Sequence, residues 1–224
     1  HCMPLVAFYF QFHQPFRLHP DGEKFLWEEK NRDILIQAAD KCYLPSVRMF
    51  TRLIIENPFF KITLGLSGTF LEQAEQYRPE VIGVLQELMD AGSKNSQVEI
   101  LDETYYHSLT SLFDDPKKRE FREQTLLHRE MIKRIFGIFP TSFHNTELIY
   151  NREIASVVAD MGYKAILCEK SNDIYEQQEK SIPPNAVSRA YNANMIVIAM
   201  NWKLSDAIAF RFSRNQLTPA QYAK

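Results

Sequence analysis

The chain has 224 residues, of which 45% are hydrophobic, 12% aromatic and 24% charged, and its formal net charge is −2. This balance, with a pI near 6.3, excludes the basic surface that nucleic-acid binding needs. No apolar run reaches the ~20 residues of a membrane span, and no secretion signal opens the chain. The three cysteines form neither a disulfide framework nor a zinc motif. We therefore predict a cytoplasmic protein without a membrane or nucleic-acid partner.

Predicted strands alternate with predicted helices along the chain. Six short apolar runs, rich in β-branched and aromatic residues, predict strands over residues 5–12, 61–68, 98–101, 141–147, 164–169 and 194–200. Helical spacing predicts helices over residues 28–56, 79–92, 115–136 and 151–162. The polar stretch 171–193 is predicted to be a surface loop.

Capping residues support the predicted helix ends. Pro79 opens one helix, and Gly92 lies just past its end. Asp115 is an N-cap signal for a charged helix, and Asn151 caps another that Gly162 stops. Near-continuous apolar strands separated by helices are typical of a parallel sheet with helical crossovers. We therefore predict an α/β fold in a single domain over residues 3–224.

Polar side chains cluster where the predicted strands end. His13 follows the first strand, Glu99 lies in the third with His107 just after it, Glu147 ends the fourth, and Asp206 follows the sixth. In a parallel barrel or open α/β sheet, the carboxyl ends of the strands carry the active site. Glu147 lies within the apolar stretch TSFHNTELIY, where a buried carboxylate would need a partner.

Structural roles compete with functional ones at these positions. Glu99 could pair with a core arginine, His107 could be a satisfied core histidine, and Asp102 and Glu103 could be solvated loop charges. Two facing carboxylates, one ionised and one protonated, would suit cleavage of a glycosidic bond. A metal-dependent carbohydrate deacetylase is a further alternative, in which His13, His107 and His144 would converge as ligands.

Four segments of the chain carry a family resemblance. FQFHQPFRL, QVEILDETYYHSL, SFHNTELIYN and LSDAIAFRF resemble, in order, four sequence regions of glycoside hydrolase family 57, and the match is closest to its α-amylase-like members. The resemblance implies a (β/α)7-type barrel. Because six strands are visible and the fifth family region is missing, we expect an incomplete barrel, the N-terminal portion of a longer enzyme.

The resemblance also implies a chemistry. It makes Glu147 the nucleophile and Asp206 the general acid/base of a retaining hydrolase acting on α-glucans or maltooligosaccharides, with no metal or organic cofactor. His13 and Glu99 match positions that line the sugar site, and His107 is expected beside them.

The sugar cradle departs from that of the transferases in the family. His144 and Ile208 replace the tryptophan and glutamate of those members. A 4-α-glucanotransferase and a non-hydrolytic α-glucan-binding relative therefore stay open as alternatives. Tyr105, Tyr106 and Trp202 lie near strand ends and are candidate stacking platforms for sugar rings.

Overall fold

A computed structural model describes residues 5–22, 24–169, 187–190, 194–212, 214 and 216–223. The chain divides into two compact units, His1–Pro140 and Thr141–Lys224. Each unit has its own sheet, and each is described by itself below.

The first unit is built on a three-stranded parallel sheet. Its strands are β1 (Phe8–Phe12), β2 (Ile62–Leu66) and β3 (Val98–Leu101), in that order across the sheet. All three were predicted from their apolar runs. Phe10 pairs with Leu64 and Leu64 with Ile100, so the strands end at nearly the same level.

Helices connect these strands. They are α1 (Glu28–Ala38), α2 (Leu44–Glu56), α3 (Gly68–Tyr77), α4 (Glu80–Ser93) and α5 (Arg119–Phe136). A π-turn, Ala39–Tyr43, joins α1 to α2, and Pro45 is tolerated because it lies in the first turn of α2.

Two helices of the first unit differ from the sequence prediction. The sequence did not predict α3, which begins directly after β2 because Ser67 Oγ accepts the Phe70 N–H at 3.3 Å. Gly92 lies inside α4 rather than past its end. A glycine fits there because a Cβ would lie 2.7 Å from Val98 Cγ2. The helix predicted to begin at Asp115 begins one turn later, at Arg119. The Asp115 carboxylate accepts the Lys117 and Arg119 N–H groups in the turn before it.

The sheet of the first unit has two unlike faces. One face packs on the helices: Phe10 contacts Phe50, and Phe12 contacts Tyr43 and Phe70. Side chains alternate along a strand, so the opposite face carries the polar and small residues Tyr9, Gln11, Thr63, Gly65 and Glu99. The apolar core therefore lies on one side of the sheet, and polar chemistry is possible on the other.

The second unit contains the remaining predicted strands. They are β4 (Ser142–His144), β5 (Ala165–Cys168) and β7 (Ile196–Ala199), which pair in parallel. A further strand, β6 (Val187–Arg189), runs antiparallel to β7 at the edge of the sheet. The surface-loop prediction is wrong for 187–189, because these residues form a strand that pairs with β7. Residues 170–186 and 191–193 lie outside the described part of the chain.

The helices of the second unit are short. α6 (Arg152–Asp160) begins as predicted at Asn151, whose Oδ1 accepts the Ile154 N–H at 2.8 Å. Its last residue is Asp160, and Gly162, which has a φ of +92°, follows two positions later. After β7 come α7 (Trp202–Asp206), a π-turn (Ala207–Arg211) and α8 (Pro219–Tyr222).

The α/β class and the six predicted strands are confirmed. The single domain over residues 3–224 stays a prediction. Among the residues that the structure describes, no helix combines the length and apolar character that crossing a membrane would require.

Candidate active site

A hydrogen-bonded group of side chains, which we call the histidine cluster, lies at the carboxyl ends of β1, β2 and β3. It consists of His13, Ser67, Glu103 and His107. His13 Nδ1 is 2.7 Å from Ser67 Oγ, and His107 Nδ1 is 2.7 Å from Glu103 Oε2. The centroids of the two imidazole rings are 4.5 Å apart. The structure therefore brings together His13 and His107, two of the predicted site residues.

The four members of the cluster come from the ends of three strands. His13 follows β1, Ser67 follows β2, and Glu103 follows β3. His107 returns to Glu103 through a tight turn, in which its N–H bonds the Thr104 carbonyl at 2.9 Å and its φ is +52°. Parallel strands gather such residues because their carboxyl ends meet at one edge of the sheet.

Glu103 is the buried carboxylate of the cluster. It is completely buried, and its oxygens accept from Gln11 Nε2 at 2.9 Å and from His107. A buried carboxylate without such partners would lower the stability of the folded state. The alternative that treats Glu103 as a solvated loop charge is therefore wrong, because its side chain is fully buried and hydrogen-bonded.

Gln11 is held in turn by Tyr9, whose hydroxyl donates to Gln11 Oε1. Gly65 makes room for this pair: a Cβ at this position would lie 2.2 Å from Tyr9 Oη. The polar face of the sheet thus supplies a chain of hydrogen bonds that runs from Tyr9 to Glu103.

Burial keeps His13 neutral. Burial, with the neighbouring His107 and Arg17 acting in the same direction, lowers the pKa of His13 to about 4, although the Glu103 charge opposes this. Burial and the Glu103 charge raise the pKa of Tyr9. Near neutral pH, both groups are therefore uncharged hydrogen-bonding groups.

Glu99 lies within β3, as predicted, pairs in register with Thr63 of β2 and is exposed. It lies on the same polar face as Tyr9, because both residues pair with Thr63 of β2, one from each side. Its contact with a sugar stays a prediction.

The two predicted tyrosine platforms differ. Tyr105 is 4% exposed, its hydroxyl donates to Glu72 Oε1 at 2.6 Å, and its ring packs against Gly68. Its ring is therefore largely enclosed, and its stacking role stays a prediction. Tyr106 is 51% exposed and meets Tyr105 edge-on, so a stacking role for it remains a prediction.

Glu147 lies in a strained turn after β4 and is exposed, not buried as the apolar stretch suggested. Its φ and ψ are 55° and 22°, and Leu148 is also left-handed, with a φ of 56°. Surrounding hydrogen bonds fix the turn: the Leu148 N–H bonds the Asn145 carbonyl, Asn145 Nδ2 bonds the Ile149 carbonyl, and the Glu169 N–H bonds the Leu148 carbonyl. Strain of this kind clusters at functional sites.

His144 ends β4 and is 3% exposed. It pairs in register with Leu167 of β5, so the sheet fixes its backbone. Its sugar-binding role stays a prediction.

Asp206 lies in an open groove of about 670 Å³ in the second unit, and this groove also contains the predicted platform Trp202. Asn201 caps α7, accepting the Leu204 N–H at 3.1 Å, and sets the helix that presents both side chains. Trp202 is 46% exposed, and Phe210 is 56% exposed on the same lining. Among the described residues, Glu147 does not belong to this lining, so its predicted proximity to Asp206 stays a prediction.

The basic side chains of the groove complete its lining. They are Lys203, Arg211 and Arg214. The Lys203 ammonium lies 5.6 Å from the centroid of the Trp202 ring, within cation–π range. The groove therefore offers aromatic surface, one carboxylate and several hydrogen-bond donors.

Metal binding would draw on the same donors as sugar binding. Imidazole nitrogen and carboxylate oxygen are ligands that zinc accepts. In the first unit, His13 Nδ1 bonds Ser67 and His107 Nδ1 bonds Glu103, and neither bond excludes ligation through Nε2. The expectation that no metal or cofactor is needed stays a prediction.

Sequence reasoning missed several of these side chains. Ser67 belongs to the cluster, Gln11 donates to its Glu103, and Phe210 belongs to the groove. The signals were present: Gln11 is polar within an apolar strand, and Ser67 precedes a helix as an N-cap. Phe210 lies eight positions after Trp202, a spacing that returns to nearly the same face of a helix.

Comparison with known proteins agrees with the fold and the motifs. The pattern of glycosyl hydrolase family 57 matches residues 7–224. A Methanocaldococcus jannaschii protein, provisionally named alpha-amylase, is 36% identical over 98% of this chain and 47% of its own length.

Solved structures share the fold. A branching enzyme from Thermococcus kodakaraensis superposes with a TM-score of 0.66 at 15% identity, covering 90% of this chain and 48% of that one. A 4-alpha-glucanotransferase from Thermococcus litoralis gives 0.64 at 17% identity, covering 95% and 31%. The chain spans about half the length, or less, of these relatives. With its four motifs in order and its family pattern matched from residue 7 to residue 224, the chain belongs to glycosyl hydrolase family 57.

Proposed function

We propose that the protein is a retaining glycoside hydrolase that cleaves α-1,4-glucosidic bonds of α-glucans, with Glu147 as nucleophile and Asp206 as general acid/base. The observation that carries the proposal is the turn at Glu147. It presents an exposed carboxylate on strained backbone that neighbouring hydrogen bonds hold in place. The names of the relatives, alpha-amylase, branching enzyme and 4-alpha-glucanotransferase, support the substrate class.

The reaction has two steps. The ionised Glu147 carboxylate attacks the anomeric carbon while protonated Asp206 gives its proton to the departing glycosidic oxygen. Asp206 then takes a proton from water, which attacks the glycosyl–enzyme ester and releases Glu147. A double displacement of this kind places the two carboxyl groups roughly 5–5.5 Å apart when substrate is bound.

The remaining side chains bind sugar. Trp202 and Phe210 offer apolar ring faces for pyranose rings, and Lys203 and Arg211 offer donors for hydroxyl groups. In the first unit, taken by itself, the neutral His13 and the Glu103–His107 pair are hydrogen-bonding groups suited to hydroxyls. Such sites combine apolar surface with a few well-placed polar groups.

The test uses the full-length protein with amylose and maltooligosaccharides. We expect Glu147→Gln and Asp206→Asn each to lose most release of reducing sugar while near-UV circular dichroism is unchanged. Glu130→Gln and Asp114→Asn, at exposed carboxylates elsewhere, are the matched controls. An unchanged rate in either site variant would refute its assignment.

Azide rescue separates the two roles. Glu147→Ala lacks the nucleophile, so azide should attack the substrate directly and give the inverted β-glycosyl azide. Asp206→Ala still forms the glycosyl–enzyme, so azide should give the retained α-product. The opposite pairing of products would exchange the roles of the two residues.

Product analysis addresses the alternatives. A 4-α-glucanotransferase would form longer maltooligosaccharides without a matching rise in reducing ends. A non-hydrolytic α-glucan-binding relative would bind maltooligosaccharides and give neither product. A carbohydrate deacetylase would contain a stoichiometric metal ion by elemental analysis and release acetate from acetylated sugars.

A further inference from the structure

His128 of α5 is completely buried and hydrogen-bonded through both ring nitrogens. Its Nε2 lies 2.7 Å from the Leu66 carbonyl oxygen, and its Nδ1 bonds the Asp102 carboxylate. A carbonyl oxygen and a carboxylate both accept hydrogen bonds and do not donate them. With Asp102 ionised, as its contact with Arg129 favours, both nitrogens of His128 carry protons and the ring is an imidazolium.

The two acceptors lie next to the histidine cluster in the chain. Leu66 ends β2 and precedes Ser67, whose hydroxyl bonds His13. Asp102 follows β3 and precedes Glu103, whose carboxylate bonds His107. The His128 ring therefore contacts the ends of two neighbouring strands. Each contact lies one residue before the side chain that bonds a histidine of the cluster.

Charged groups surround the ring on more than one side. Asp102 faces Nδ1, and its other oxygen accepts from Arg129 Nε at 3.3 Å. Burial acts to lower the pKa of His128, but the hydrogen bond and charge of Asp102, the Glu103 charge and the bond to Leu66 outweigh it, so the pKa is raised.

We propose that His128 is a positioning residue: a buried imidazolium that sets the spacing of the β2 and β3 ends and thereby holds the His13–Ser67 and Glu103–His107 pairs in contact. It acts through Leu66 and Asp102 and does not touch substrate. The proposal goes beyond the proposed function, because it concerns the cluster whatever ligand the cluster binds.

The protonation state of the ring is the first test. In the full-length protein labelled with ¹⁵N-histidine, the His128 resonances, assigned by their loss in His128→Gln, should show two protonated nitrogens at about neutral pH. A resonance typical of an unprotonated ring nitrogen would overturn the proposal. This measurement uses the wild-type protein, so it does not depend on whether any variant folds.

The second test reads the position of His13. In the wild type, His13 should stay neutral above about pH 5, because its pKa is lowered to about 4. In folded His128→Gln, the strand ends should separate, His13 should gain solvent, and its titration should move up by about one pH unit or more. His19→Gln, at a partly exposed histidine in the same unit, is the matched control.

Asp102→Asn provides a second variant if His128→Gln does not fold. It keeps an acceptor for Nδ1 but removes the charge, so His128 should become neutral and the His13 titration should again move up. An unchanged His13 titration in a folded variant, with native near-UV circular dichroism, would overturn the positioning role. Because neither readout uses glucan cleavage, failure of the proposed function would not produce the same result.

Discussion

Glu147→Gly should make the protein more stable while it removes the candidate nucleophile. Glu147 has a φ of 55° and a ψ of 22°, a conformation that glycine adopts freely and other residues resist. Its side chain is exposed, so truncation removes little packing. The hydrogen bonds that fix the turn come from Leu148, Asn145 and Glu169 and remain in the variant.

The size of the effect follows from two opposing contributions. A left-handed conformation costs a non-glycine residue about 1–2 kcal/mol. Glycine lowers the free energy of unfolding by about 0.5–1 kcal/mol, because the unfolded chain gains conformational freedom. We therefore expect a net gain of about 0–1.5 kcal/mol in the free energy of unfolding, which for a chain of this size raises Tm by up to about 6 °C.

Urea and thermal unfolding of the full-length variants measure this gain. Glu87→Gly is the matched control, since Glu87 is an exposed residue within α4. There the same substitution should destabilise the protein by about 1 kcal/mol. Glu147→Gln, which keeps the Cβ and the strain, should leave stability nearly unchanged.

The two glycine variants should therefore change stability in opposite directions. If Glu147→Gly destabilised the protein as much as Glu87→Gly does, the turn would not be left-handed at Glu147 and the reasoning from strain would fail. Loss of glucan cleavage in Glu147→Gly is a separate expectation that rests on the proposed function.

Three further predictions follow from the same geometry. Gly65→Ala should cost about 1–3 kcal/mol, because the new Cβ would lie 2.2 Å from a tyrosine oxygen, whereas Gly83→Ala, with nothing within 4 Å of the new Cβ, should not destabilise; equal unfolding midpoints would contradict this. The raised pKa of His128 means that its stabilisation is complete below its unfolded value of about 6.5 and is lost as pH rises through the folded value, so urea titrations should show a steeper loss at alkaline pH in wild type than in His128→Gln. Trp202→Ala should weaken maltooligosaccharide binding in calorimetry with little change in Tm, because the ring is 46% exposed; Phe59→Ala, at a 90% exposed ring in the first unit, is the control, and unchanged affinity with lower stability would make Trp202 a structural residue.

The order and type of most elements could be predicted from the sequence, because the signals are local. Apolar runs marked the six predicted strands, and Asn151 and Gly162 marked both ends of α6. α3 was missed, because a single residue, Ser67, both follows β2 and caps the helix.

The motifs placed the candidate residues near the correct strand ends, but only the tertiary structure decided which of them meet. Gln11 and Glu103 are 92 positions apart, His128 and Leu66 are 62 apart, and His13 and Ser67 are 54 apart. No local pattern encodes contacts across such separations. The same limit explains why Glu103 was not recognised as a buried carboxylate: its partner Gln11 comes from a strand 92 positions away. Local periodicity thus determined the strands and helices, and long-range packing decided which carboxylates are enclosed and which face solvent.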